Sequence, residues 1–318
     1  MRPERPSGPK GADTGPGIRP GETRRIRVSA EELSAVAARC GVESPLVGVD
    51  QGVTPRGSWG ARLGVVGDPA RGSAQALASL LDKGLVARGG RVDPGLAGAL
   101  ALWHSSRQAV EFDVLLDSGT SPPSRVASWH RRSGQRVVCL SAAAPTVIEM
   151  SWMSTSDWWN EIARVAVIAP RGSAAVPQSS AWSALDLPWE LLLGVSHAFD
   201  SGRPDLAGRM VAEHRVPIRA GGDHHASVPL DNEQALRALR ALASSGRARL
   251  HAVVLGSGVG GWPRAGVIEW VLHDEQWWEL TPYVCEGAPR ARMGRVGPPD
   301  LPARVMALLA QMSGRGEP

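Results

Sequence analysis

Apolar residues recur at helical spacing from Ser73 to Val86, at Ala74, Leu77, Leu80, Leu81 and Leu85, which predicts an amphipathic helix. Gly84 falls in its last turn and Gly89-Gly90 lie just past it, where left-handed backbone is cheap only for glycine. Asp93 is an N-cap residue and Pro94 takes the first helical position, so a second helix starts at once. Leu96, Leu100, Leu102 and Trp103 supply its apolar face. From Glu111 to Leu116 polar and apolar residues begin to alternate, as in a half-buried strand.

The same reading extends along the chain. Ile26-Arg27-Val28 predicts a short strand, and Ser29 caps a helix with Glu32 at the capping-box position. Strands follow at 111–116, 125–131, 135–141 and 146–152, joined by short turn-rich links, so successive hairpins build an antiparallel sheet. A helix runs from Asp157 to Val167 with Ser156 as its cap. In the second half Trp189 to His197 and Leu206 to Glu213 read as helices, and Arg215 to Val228 as a turn-rich link. Asp231 caps a helix with Leu236, Leu239 and Leu242 on one face. Strands at 248–255, 265–273 and 277–284 precede a last helix, Leu301 to Met312. The plan occurs twice, so the expected fold is α+β: an antiparallel sheet flanked by helices, in two halves related by a pseudo-two-fold.

Composition narrows the function. The chain of 318 residues is 43% hydrophobic, enough for a substantial core. Its pI of about 9.5 invites a nucleic-acid reading. Residues 1–25, rich in Pro, Gly and Arg and expected to be a disordered basic tail, hold six cations against three anions, a net of +3. The whole chain is +4, so the body is near +1 and lacks the basic footprint of a nucleic-acid binder. Cys40, Cys139 and Cys285 are odd in number and far apart, which fits neither a disulfide framework nor a zinc site. The expectation is a cytoplasmic protein without membrane insertion.

Candidate chemistry is sparse. Gly256-Ser257-Gly258-Val259-Gly260-Gly261 matches GxGxxG after a strand, but a dinucleotide site also needs a helix to begin there. The continuation Trp262-Pro263-Arg264 and a further strand favour a hairpin loop. Asp223-His224-His225 lacks a further ligand at useful spacing, so no metal or other cofactor is assigned. His251 and His273 lie in strands, Cys139 reads as a buried inert thiol, and Glu190 stands alone. Glu111 and Asp113 are too scattered for a two-carboxylate mechanism. No catalytic residue is expected. In each pair Trp158-Trp159 and Trp277-Trp278, one ring is expected in the core; a partly exposed second ring would hint at a contact surface, and core packing for both is the favoured reading.

Gly84 through Leu102 and Val110 through Asp113 resemble the EspG family, the cytosolic chaperones of type VII (ESX) secretion in actinobacteria. The shared pattern is Gly-Leu-x-x-Arg-Gly-Gly-Arg-x-Asp-Pro-x-Leu-Ala-x-Ala-Leu-x-Leu, then a Val-Glu-apolar-Asp strand. Val28 to Leu33, Cys40 to Leu46, Leu236 to Leu255, Arg264 to Trp270 and Trp278 to Pro282 are similar to other family segments, so the likeness spans about 26–312. The chain departs from the family around 272–277. The resemblance implies an EspG-like domain over 26–318, with halves at about 26–170 and 171–318. It implies no enzyme but a chaperone covering the apolar tip of a secreted helical client, PE–PPE-like or WXG-motif-like. Carried over, the family's partner-binding loop is Asp117, Ser118, Gly119, Thr120, Ser121, Pro122, Pro123, Ser124 and Arg125. Monomer and homodimer both stay open. The rival reading is a nucleotide-binding enzyme using the Gly256–Gly261 loop, and it requires a helix after Gly261.

Overall fold

The computed structural model describes residues 23–46, 69–116, 124–144, 147–168, 183–221, 228–244, 248–258, 261–273 and 275–313. The first half runs β1 (Arg24–Val28), α1 (Ala30–Arg39), α2 (Pro69–Asp82), α3 (Pro94–Ser105), β2 (Gln108–Leu116), β3 (Ser124–Ser133), β4 (Arg136–Ala144), β5 (Val147–Ser154) and α4 (Thr155–Val165). The second runs β6 (Ala184–Pro188), α5 (Trp189–Asp200), α6 (Pro204–Glu213), β7 (Arg219–Gly221), β8 (Val228–Pro229), α7 (Asn232–Ser244), β9 (Ala248–Ser257), β10 (Pro263–His273), β11 (Gln276–Cys285), β12 (Ala288–Val296) and α8 (Asp300–Met312).

The strands form one twelve-stranded antiparallel sheet, ordered β1-β5-β4-β3-β2-β9-β10-β11-β12-β6-β7-β8. From the β2–β9 seam outward the order is the same both ways, with β7 and β8 added at one end. The register repeats as well. Gln108 faces Arg132 and Trp129 faces Leu140; in the second half Ala248 faces Leu272 and Glu269 faces Leu280. One constant offset therefore carries β2, β3 and β4 onto β9, β10 and β11. Phe112 and Ala252, equivalent under that offset, face each other across the seam, so the pseudo-two-fold axis passes between them.

Side-chain alternation sends strand residues to two faces. Beneath the sheet centre, α4 and α8 pack Trp158, Ile162, Val305 and Leu309 against Val110, Phe112, Leu250, Ala252 and Trp270. On the other face α1–α3 cover one end through Leu33, Leu80, Leu100, Trp129 and Trp152. The α5–α7 bundle covers the opposite end through Leu187, Leu191, Val195, Leu239 and Trp278.

Local chemistry sets the element ends. At α1 the Glu32 amide donates to Ser29 Oγ at 3.2 Å and the Ser29 amide to Glu32 Oε2 at 2.7 Å, a complete capping box. Asp93 caps α3 through the Leu96 amide at 2.9 Å. Four expectations need correction. Helix α2 stops at Asp82, not Val86, because Gly84 (φ +67) ends it, with its own amide on the Leu81 carbonyl and the Leu85 amide on that of Leu80. Gly90 instead turns the chain inside a small bridge between Val86 and Val92. The cap of α4 is Ser154 rather than Ser156, since β5 runs on to Ser154 and the Asp157 amide reaches its hydroxyl. Strand β12 was not foreseen. It returns along all of β11 through a Glu286-Gly287 turn with both φ positive. Trp277 and Trp278 are both buried, as the core reading expects: neighbours in a strand face opposite sides, and both sides are covered there. Trp158 and Trp159 divide, one buried and one half-buried. Strand β1 also begins at Arg24, inside the stretch assigned to the tail, where Arg25 pairs with Glu149 and Glu161.

Candidate partner-binding surface

Between the two helical covers, no described residue packs over the middle of the upper sheet face. It is lined by the outward positions of β2, β9 and β10: Leu115, Val253, Leu255, Val267 and the charged residues among them. Leu115 is 40% and Val267 55% exposed. Val253 faces Val267 and Leu255 faces Ala265, so these four side chains form one apolar strip beside the seam, while Leu115 lies beyond the Asp113–His251–Glu269 row and faces Arg249.

Three charged pairs lie on this face, and exposed Arg249 stands beside Leu115. Arg125 Nε donates to Asp113 Oδ1 at 2.6 Å and its Nη2 to Oδ2, a two-point clasp at the base of the β2–β3 hairpin. Arg131 meets Glu111 at 3.3 Å while lying 4.9 Å from the centre of the Trp103 ring. His251 Nδ1 bonds Glu269 across the β9–β10 ladder, and Asp113 faces His251 across the seam. That hydrogen bond, aided by the carboxylate charges of Glu269 and Asp113 and opposed by burial, holds the His251 pKa above its ordinary 6.5. A raised histidine pKa stabilises the fold at pH below the unfolded value and loses its effect as pH climbs through the folded one. The His251 titration followed by NMR should therefore have its midpoint above 6.5. In Glu269→Gln the midpoint should fall, and the stability gap between the two proteins should close from pH 5 to pH 9.

Of the sequence candidates, Asp117 to Pro123 and Asp223-His224-His225 lie outside the described residues. Ser124 and Arg125 are the first two residues of β3, facing Leu116 and Leu115. The glycine-rich segment is a hairpin: the Gly258 amide donates to the Trp262 carbonyl at 2.8 Å, and β10 starts at Pro263. A strand thus stands where a dinucleotide site needs a helix, which overturns the motif reading. His130, fully buried, accepts a hydrogen bond from Trp158 Nε1 at 2.7 Å, and burial first, then Arg131, push its pKa down to about 3. Burial raises the Cys139 thiol pKa, and Glu190 pairs with His214 at 3.3 Å. Among the described residues no three His, Cys, Asp or Glu side chains gather as a metal site, and no helix is long and apolar enough to cross a membrane. The apolar strip itself was not anticipated. Its signal, alternation in β2 and β9, is present in the sequence, but the pairing of those strands is not.

No family model matches the chain, and no curated protein matches it. Among solved structures it is similar to the Mycobacterium tuberculosis type VII secretion system chaperone EspG5, determined in complex with the PE25-PPE41 dimer. The match covers 91% of this chain and 97% of that one, with a TM-score of 0.55 and 11% sequence identity. The two share the α+β fold with its large antiparallel sheet.

Proposed function

We propose that this protein is a cytoplasmic chaperone of type VII secretion that makes and breaks no bond, and whose central apolar strip covers the apolar tip of a helical secreted client. The carrying observation is the strip itself. Val267 is exposed and Val253 and Leu255 are half-buried on the sheet face between the two helical covers. An apolar patch rimmed by paired charges suits protein contact. A PE–PPE-like client is the reading the EspG5 likeness supports, because that chaperone is solved with such a dimer; a WXG-motif-like client is the variant of the same reading.

The two sides of the seam differ although their backbones are equivalent. Glu111 and Asp113 occupy the places that His251 and Val253 take in the other half. Glu111 faces Val253 and Asp113 faces His251, so the two sides differ in charge and a client docks one way round only. The hairpin segment Asp117 to Arg125 is proposed as the rim of the contact, with Pro122-Pro123 lowering its ordering cost.

The test is co-expression with the secreted helical proteins of the source organism, followed by co-purification and mass identification. The wild type should retain a stoichiometric client. Val267→Asp places a charge in the apolar strip and should weaken retention roughly tenfold or more, while the exposed site leaves the fold intact. Replacing Thr120-Ser121-Pro122-Pro123 by Gly/Ser should weaken it less, with an unchanged melting temperature. A client held equally well by Val267→Asp would move the interface elsewhere.

A further inference from the structure

At the lower end of the seam, below the glycine-rich hairpin, lies a cleft of about 740 Å³. Its lining includes Arg107, Gln108, Arg132, Ser133, Ser257 and the end of α8 at Ser313, and it includes no carboxylate. Arg132 is half-buried; its Nε donates to the Gly134 carbonyl at 3.3 Å and its Nη1 lies 3.7 Å from Met306 Sδ. Burial lowers its pKa, so the guanidinium has lost water without gaining an anion. Arg264 adds a third cation at the rim, close enough to Gly258 that a Cβ there would lie 2.7 Å from its Nε. Among the described residues none of the three arginines forms an ion pair.

The pseudo-symmetry shows that this is no requirement of the fold. Gln108 and Arg132 correspond to Ala248 and Leu272, which are buried core residues. The first half thus carries a polar, cationic pair where its counterpart closes the core. Two helix C-termini border the cleft, each worth about half a negative charge, so three guanidinium groups outweigh them by roughly two charges. Ser106 and Ser313 also hydrogen-bond the Leu102 and Leu309 carbonyls at 2.6 and 2.8 Å, which occupies two of those groups.

We infer that this cleft binds a small oxyanion of the phosphate class, held by Arg132 and Arg107 with the Gln108 amide and the surrounding hydroxyls. A planar guanidinium with free N–H groups matches tetrahedral oxyanions in two-point geometry. The glycine hairpin forms the wall of this site without the helix of a dinucleotide fold. The inference is independent of the chaperone reading.

Calorimetric titration of the full chain with inorganic phosphate, at constant ionic strength in chloride, tests it. Saturable binding is expected, weakened roughly 10- to 100-fold in Arg132→Gln and measurably in Arg107→Gln. Arg107 is exposed, so its variant decides the matter should Arg132→Gln fail to fold. ADP and ATP are titrated in parallel: tighter binding than phosphate makes the ligand a nucleotide, and equal binding a free oxyanion. Absence of saturable phosphate binding, or binding unchanged in Arg107→Gln and in any folded Arg132→Gln, overturns the inference.

Discussion

Trp270→Ala should lower the unfolding free energy by about 3–5 kcal/mol, the range for emptying a fully enclosed aromatic site. Trp270 is 0% exposed and lies in the cluster shared by both halves, 6.0 Å from the Trp277 ring. Trp277 is itself tied down, because its Nε1 donates to the Ala166 carbonyl at 2.7 Å. The neighbouring ring therefore has little freedom to fill the void. Trp270→Phe should cost clearly less: among the described residues the indole N–H has no hydrogen-bond partner, so its removal sacrifices packed area and no polar contact. Denaturant titration checks both, with the midpoint moving at constant slope. A loss under about 1.5 kcal/mol for the alanine variant would mean that the centre repacks freely, contrary to the tight core described.

Asp186→Ala should cost roughly 2–4 kcal/mol, since it strands a guanidinium that is only 8% exposed. Arg290 holds Asp186 Oδ1 with Nε at 2.7 Å, and reaches Tyr283 Oη at 3.2 Å and the Pro217 carbonyl at 3.4 Å. The cluster joins β6, β11 and β12 to the chain entering β7. The figure sits below the full range for enclosed pairs because the Asp186 side chain keeps 19% of its exposure. Replacing both partners, Asp186→Leu with Arg290→Met, should cost less than Asp186→Ala alone, because no charge is then left without a partner. Equal losses in the single and double variants would show that the pair does not couple.

Both sites lie in the second half. The duplicated plan lets each half keep a common scaffold while particular positions change chemistry. Leu272 closes the core where Arg132 opens a cleft, and Glu111 meets Arg131 where His251 meets Glu269. The apolar strip and the cationic cleft lie on opposite faces of the same seam, so the junction of the halves carries both proposed contacts.

What could be read from the chain varied with the range of the interaction concerned. The Ser29 capping box, the Asp93 cap with Pro94 behind it, and the alternation in β2 act within a few residues, and they stand as read. The end of α2 was misjudged because three glycines compete there, and only Gly84 lies where two amides can close on Leu80 and Leu81. Strand β12, with sequence APRARMGRV, lacks a β-branched run. Its strand character comes from having β11 on one side and β6 on the other. The candidate loop was legible only through family likeness, and of its nine positions the structure describes Ser124 and Arg125.

The sequence by itself determined the local elements, the two-fold repetition of their order and the antiparallel class, because caps, turn glycines and periodicity are settled by neighbours in the chain. Only the tertiary structure decided that β2 pairs with β9, and with it what stands side by side at the seam. That pairing joins residues about 140 positions apart (Phe112 with Ala252), and no local signal encodes which distant strand will complete a ladder. The Asp113–Arg125 and His251–Glu269 pairs each form within a hairpin of one half; the meeting of the halves sets them side by side, Asp113 against His251 and Glu111 against Val253, above the arginine-lined cleft.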